Sequence, residues 1–454
     1  MEWAKPALST LKLRGSWGLI GDQSVASNLY VPTMTQSQAT WLGASGAKLV
    51  QVASPAAVRS DITWQDIKTL DFGFDARFFD GSLGLTFDWY KRDTENMIVP
   101  GGGVTATFGT TAPKGNFGAL STTGWEVAID YNRQFSNGLA INAMFTLSDA
   151  VTEIKEYGTT KSIDSWYVGK QYGEIWGYRV DRLYQKSDFV YDDAGNLVTT
   201  YAKDGKEVPF GTSGAIKVNK LSDPNGVYQE KLQSGDFYFG PGDVKYKDVN
   251  GDGKIDPGSR LVEDADGKPA HGDLEILGNE TPRYEWGFRL GASYKGFDAS
   301  IFMQGVASRE FWGTGPLVQA GFHSSDGGVP QCFASDYWTE TNTDAFYPAA
   351  TNYTRESKWN YEKNDRYLLD MSYWRIKNIT LGYTLPEYLT KKAWIKKCRI
   401  YATLENFFTF DNLGDLSIDP EISGSGSYMY SNSSWTGTGS PTMKTVSVGL
   451  QLNF

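Results

Sequence analysis

No apolar run in the 454 residues approaches the roughly 18 consecutive side chains that a membrane-spanning helix needs. Histidine is almost missing: His271 and His323 are the only two, and neither accompanies a Ser or Cys nucleophile in a recognisable elbow. Carboxylates are too plentiful for a glycosidase pair to stand out, so no enzyme is expected. Two cysteines, Cys332 and Cys398, cannot make a disulfide framework and leave the redox compartment open. Cations are in deficit, with 43 Lys and Arg against 53 Asp and Glu and a net charge of -10, which argues against a nucleic-acid surface. The opening residues Met1-Glu2-Trp3-Ala4-Lys5 lack the basic then apolar pattern of an export signal.

What the chain has is aromatic residues, glycine and alternation. Aromatics make up 14% of the residues, with 15 Trp and 26 Tyr, and there are 50 glycines. Mean hydropathy is only -0.41, as expected when half of each strand faces water. The last stretch sets the pattern: Val446, Val448, Leu450, Leu452 and Phe454 share one parity, while Thr445, Ser447, Gly449, Gln451 and Asn453 share the other. A strand of about 10 residues with two such unlike faces fits a tilted crossing of an outer membrane. The same alternation recurs and predicts ten strands, near 8–18, 70–79, 82–91, 122–133, 138–148, 283–294, 297–306, 372–383, 397–406 and 443–454. Broken alternation around Trp374 and Ile376 predicts a bulge there. Connections alternate between long and short without exception, which is the habit of outer-membrane barrels, with short periplasmic turns and long outward loops. The fold class expected is therefore all-β, a transmembrane antiparallel β-barrel.

Within the longest outward loop, Asp248, Asn250, Asp252 and Asp256 fall at relative positions one, three, five and nine, with Gly253 at six and the Lys254 carbonyl at seven. That spacing matches a calcium loop of EF-hand type. Ser259 stands where the bidentate Glu belongs, so a structural Ca2+ would need another ligand, Glu263 or Asp264; the alternative is an acidic turn without metal. No other cofactor is expected. Aromatics gather in the loops as Trp166, Tyr167, Tyr172, Trp176 and Tyr178, and as Phe311, Trp312, Tyr337 and Trp338. Rings exposed there could stack on sugars or anchor a protein partner, with Trp166, Tyr167, Trp176, Trp312 and Trp338 as substrate contacts; packing within the loops is the plainer role. The charges Arg77, Asp75, Glu126, Asp130, Arg283, Glu285 and Arg289 sit on the polar strand faces, where cross-strand pairing in a hydrated wall is the expectation.

Several stretches resemble the SusC/RagA-type TonB-dependent outer-membrane transporters, nutrient importers of gut-type Bacteroidetes. They are LKLRGSWGLIGDQ from Leu11, NFGALSTTGWEVAIDYN from Asn116, VGKQYGEIWGYRVDRLYQ from Val168, GDVKYKDVNGDGKID from Gly242, DYWTETNTDAFYP from Asp336, YWRIKNITLGYTLP from Tyr373, LENFFTF from Leu404 with Asp419-Pro420-Glu421, and the final strand. Their order is collinear over nearly the whole chain. Such a resemblance implies a barrel of about 22 strands, of which residues 1–454 supply the C-terminal portion without plug or N-terminal strands. It further implies residence in outer-membrane lipid, TonB-powered import of a glycan or peptide, contact with TonB through an N-terminal region, and a SusD-like surface lipoprotein over the loops. The rival from another class is a secreted soluble β-rich carbohydrate-binding module; its apolar strand faces would leave a continuous belt in water.

Overall fold

The computed structural model describes residues 7–23, 29, 31–102, 105–159, 161–233, 237–315, 317–319, 330–350, 359–421, 436–437 and 442–454; His323 lies outside them. Ten strands form one sheet: β1 (Leu8–Asp22), β2 (Gln65–Phe78), β3 (Leu83–Val99), β4 (Gly115–Gln134), β5 (Ala140–Tyr157), β6 (Arg283–Tyr294), β7 (Phe297–Ser308), β8 (Tyr373–Thr384), β9 (Lys397–Asp411) and β10 (Thr445–Asn453). Each lies beside its neighbours in sequence, in the order β1 through β10. All ten expected strands are present, and the long and short connections alternate as expected.

The chain divides into two compact units. The first comprises Met1–Asp80, Gly84–Val127 and Asp149–Tyr172. In it β1 and β2 pair antiparallel with Leu13 opposite Phe74, and an additional hairpin, Gln36–Leu42 with Lys48–Val52, stands in the first long connection. Arg14 joins Asp75 at 3.1 Å and Asp88 at 2.8 Å, so the polar face of three adjacent strands is tied by charge, the cross-strand role expected for Asp75.

The second unit comprises Gly81–Leu83, Ala128–Ser148 and Gly173–Phe454. Its registers place one apolar row across six strands: Ile141 opposite Ala292, Ala292 opposite Ala299, Ala299 opposite Leu381, Leu381 opposite Ala402, and Ala402 opposite Val448. Among the described residues, no layer covers this face: Leu381 is 62% exposed, Val448 77% and Leu450 60%. Buried side chains gather instead in the long connections, where Tyr184, Tyr246, Val244 and Met371 are almost fully enclosed. A sheet with an open apolar face, and loops that carry the core, inverts the arrangement of a soluble protein.

On the other face, glycines admit large neighbours. A Cβ on Gly449 would fall within the ring of Tyr401, its partner across β9 and β10, and one on Gly382 would meet the Arg399 guanidinium. Gly449→Val should therefore overpack the pair and cost about 1–3 kcal/mol. Adding Tyr401→Ala should recover most of it, read as the folded fraction of the full-length protein on a denaturant titration; equal losses in single and double variants would rule out the ring contact as the cause.

The expected bulge is there. Register shifts between Ile376 and Asn378 on β8 against β9, and between Phe302 and Met303 on β7 against β8. The extra residue changes the parity, so that Arg375 shares a face with Asn378, Thr380 and Gly382 rather than opposing it.

Candidate functional site

The long connections of the second unit fold into a platform. Residues 173–282 supply paired segments, Glu174–Tyr178 with Leu274–Asn279, Val180–Leu183 with Val244–Tyr246, and the three-stranded Lys206–Val208, Thr199–Lys203 and Ile216–Asn219. Aromatic packing fills their centre, with Tyr178 against Tyr246 at 5.3 Å and Tyr184 against Phe189 at 5.1 Å. Burial pushes the phenols of Tyr178, Tyr184, Tyr246 and Tyr367 above their ordinary range, so they stay neutral.

A second connection, 309–372, is stapled to the first by buried polar groups. Asn360, fully buried, accepts from the Val244 amide at 2.8 Å and donates to Asp243 Oδ1 at 2.7 Å. The Tyr246 hydroxyl donates to the Trp359 carbonyl at 2.9 Å, and the Val180 amide donates to Asp365 Oδ1 at 2.8 Å. Toward the exposed margin, Arg179 pairs with Glu275 at 2.9 Å and Lys186 with Glu340 at 2.9 Å. Surface pairs of that kind add little, so the buried amide staple holds the two connections together.

The connection after β9 is fixed differently. Arg375, re-aimed by the bulge and 3% exposed, reaches Asp419 and Glu421, each at 2.6 Å, and Lys377 holds Glu421 at 2.8 Å. Gln304 adds a bond to Glu421 at 2.8 Å, and the amides of Glu421 and Thr442 donate to Asp419. Burial alone would raise the Asp419 carboxyl; the bonds from Arg375, Thr442 and Glu421 overcome that and hold it at about 2. Both acids flank Pro420 in a segment noted in the sequence only for its resemblance.

In the acidic loop, oxygens turn inward onto the backbone. Asp248 accepts from the amides of Gly251 and Gly253 at 2.7 and 2.8 Å, Asn250 from Asp252, Asp252 from Lys254, and Asp256 from Gly258. Asp273, which sequence spacing did not single out, is buried beneath and accepts from Val249 and Asp256. Desolvation raises its pKa, and the nearby charge of Asp248 adds to the rise despite the amide donors. Among the described residues, no three His, Cys, Asp or Glu side chains converge as a metal-holding group. Any ion here would therefore have to draw on the Asn250 oxygen and backbone carbonyls as well.

The aromatic candidates fall into two kinds. In the first unit, Tyr167 is buried, while Trp166 is half-buried, stacks on Tyr172 at 5.3 Å and lies 5.6 Å from the Lys170 ammonium. In the second, Trp338 is buried beside Gly242 and donates to Gln185 Oε1 at 3.4 Å. Trp176 is half-buried with its ring 5.1 Å from His271, and Trp312 is half-buried just after the short strand Glu310–Phe311. Tyr167 and Trp338 are thus loop-core residues in this structure; Trp166, Trp176 and Trp312 keep exposed edges.

Residues 5–267 match the model of the family described as TonB dependent receptor-like, β-barrel. A TonB-dependent receptor of Formosa agariphila is 24% identical over 468 residues, covering 98% of this chain and 40% of that protein. The TonB-dependent receptor SusC of Bacteroides thetaiotaomicron is 24% identical over 421 residues, covering 91% of this chain and 35% of its own length. Among solved structures, the RagAB peptide transporter aligns with a TM-score of 0.63 at 17% identity, over 99% of this chain and 41% of that one. The chain thus spans about two fifths of the length of its first relatives.

Proposed function

Because the chain belongs to the family of TonB dependent receptor-like β-barrels, we propose that it forms the C-terminal wall and outward loops of an outer-membrane nutrient importer. Its ten strands would cross the bilayer, with the short turns on the periplasmic side and the loop platform outside. Plug and remaining strands would come from the rest of a longer protein, and TonB would act through that part. The imported nutrient would be an oligosaccharide or a peptide, and a SusD-like lipoprotein would close over the platform. The observation that carries this reading is the open apolar face. In water it would be a large exposed patch, whereas in lipid it is the required surface.

Fractionating cells that express the full-length parent tests the reading. Recovery in the outer membrane, with gel migration that shifts on heating, is the expected result. A detergent-independent soluble protein would replace the importer with the secreted binding module.

The Asp248–Asp256 loop belongs to this proposal as a structural Ca2+ site, with Asp248, Asn250, Asp252, Asp256 and the Lys254 carbonyl as donors. What supports it is the spacing, together with the buried Asp273 beside Asp248, two like charges that a cation would relieve. Calorimetric titration of the chelator-treated full-length protein with CaCl2 should show one saturable site, weakened at least about tenfold by Asp248→Asn, or roughly 1.4 kcal/mol. Without a saturable heat in the parent, the loop is an acidic turn held by its own amides.

A further inference from the structure

The geometry points to a seat for one anionic phospholipid, of the phosphatidylglycerol type, on the turn side of the second unit. This inference rests on the membrane reading above and goes beyond it, because it distinguishes a specific lipid from generic contact with the bilayer. The seat has an apolar trough, an aromatic lip and a cationic rim.

The trough comes from side-chain size. Ala292, Ala299 and Ala402 lie in the row that also contains Leu381 and Val448. Three methyl side chains among larger neighbours leave a hollow of about 630 Å³, lined almost wholly by apolar groups. That volume is within the roughly 300–1,000 Å³ of ordinary small-molecule sites. One row nearer the turns the side chains become large: Tyr294 faces Phe297, Phe297 faces Tyr383, and Tyr383 faces Ile400. The rings of Phe297 and Tyr383 lie 4.4 Å apart and close that end of the hollow. An acyl chain fits such a trough, and aromatic rings suit the level of the glycerol and ester groups.

Beyond the lip the charge has one sign. The Lys295 ammonium stands 5.1 Å from the ring of Tyr294, at the β6–β7 turn where Lys295 and Gly296 take φ of 48° and 88°. The β8–β9 turn contributes Lys391, Lys392 and Lys396, all exposed, around Trp394, which is 90% exposed. The acids nearby are already engaged: Glu387 pairs with Lys391 at 2.9 Å, and Asp298 with the Arg399 guanidinium at 2.9 Å on the opposite face. Lys397 opens β9 on the parity of Arg399, so Lys295, Lys392 and Lys396 remain for a phosphate, beside an exposed indole suited to the interface. This charge complementarity selects an anionic head group over a zwitterionic one.

The test uses the full-length protein in nanodiscs of equal phosphatidylglycerol and phosphatidylethanolamine, released into the gas phase for native mass spectrometry of retained lipid. Phosphatidylglycerol should be retained at least about fivefold over phosphatidylethanolamine, given about 1 kcal/mol per basic residue near an anionic surface. The triple variant Lys295→Gln, Lys392→Gln, Lys396→Gln should erase the preference, while Lys268→Gln, in a long connection, should leave it unchanged. Ala299→Trp, which fills the trough, should lower retention of both lipids. Soluble glycerol phosphate should not compete; if it does, the site is a phosphate site without a chain and the inference fails. Equal retention of the two lipids, or a preference that survives the triple variant, also overturns it. Heat-dependent gel migration of each variant shows separately whether the barrel forms, so loss of the membrane reading cannot be mistaken for loss of the lipid seat.

Discussion

Replacing Arg375 with Met should release the connection after β9, at a cost of roughly 3–5 kcal/mol, because two carboxylates stay behind in a buried place without their main cation. Asp419 is held by Arg375 at 2.6 Å and has little access to water, so it cannot be rehydrated where it stands. The readout is hydrogen exchange of the full-length protein over residues 411–421 and 442–445, where protection should fall by about two to three orders of magnitude. Combining Arg375→Met with Asp419→Leu should restore much of the protection, since Glu421 keeps Lys377 and an apolar pair can replace a buried ionic one. Failure of the double variant to recover would show that the arginine acts through packing rather than charge.

The same clamp carries a pH dependence of known sign. Asp419 sits at about 2 in the folded protein against an ordinary 3.8, so its carboxylate form is favoured by folding. Its contribution is complete above the ordinary value and is lost as the pH falls from there toward 2, in total about 2 kcal/mol. Exchange protection of this connection should fall over that acid window in the parent, and the Asp419→Leu double variant should lack that step.

A second large effect is expected at Asn360. Asn360→Leu removes both the acceptor for the Val244 amide and the donor to Asp243, at about 1–3 kcal/mol for each group. Proteases should then cut within 173–282 and 359–372 while the barrel still shows heat-dependent migration, because the staple joins loops and not strands. Asn360→Asp has nearly the same shape but sets a second carboxylate against Asp243, so it should be at least as damaging. An inert Asn360→Asp would mean that shape alone holds the platform. Because these connections form the outward surface of the proposed importer, either variant should weaken uptake without removing the protein from the membrane.

Legibility in the sequence followed the environment of each strand. On β6 and β7 the expected 283–294 and 297–306 nearly coincide with Arg283–Tyr294 and Phe297–Ser308, since one apolar and one polar face make the period of two visible. On β3 the expectation stopped at residue 91, yet the strand continues to Val99 through Lys91-Arg92-Asp93-Thr94-Glu95-Asn96, which carries no apolar parity. Pairing continues there although neither face carries an apolar row, so hydrophobic pattern could not reveal it. The hairpin Gln36–Leu42 with Lys48–Val52 was also missed, in the connection between the first two expected strands. At the site, the acidic loop was legible from local spacing, but Asp273 was not, because its contacts to Asp256 and Val249 span 17 and 24 residues. Asn360 lies 117 residues from Asp243, and nothing local marks it. Ring burial was equally hidden: Trp166 and Tyr167 are adjacent in sequence, and only the second is enclosed.

The central claim is that the open face of the sheet lies in lipid, and single spin labels along β10 of the full-length protein test it most directly. With Cys332 and Cys398 replaced by Ser, labels at Val446, Val448, Leu450 and Leu452 should be relaxed by oxygen and shielded from a water-soluble nickel reagent. Labels at Thr445, Ser447 and Gln451 should show the reverse, a period of two in opposite phase. Uniform access to the nickel reagent on both parities would contradict the account and place this face in water.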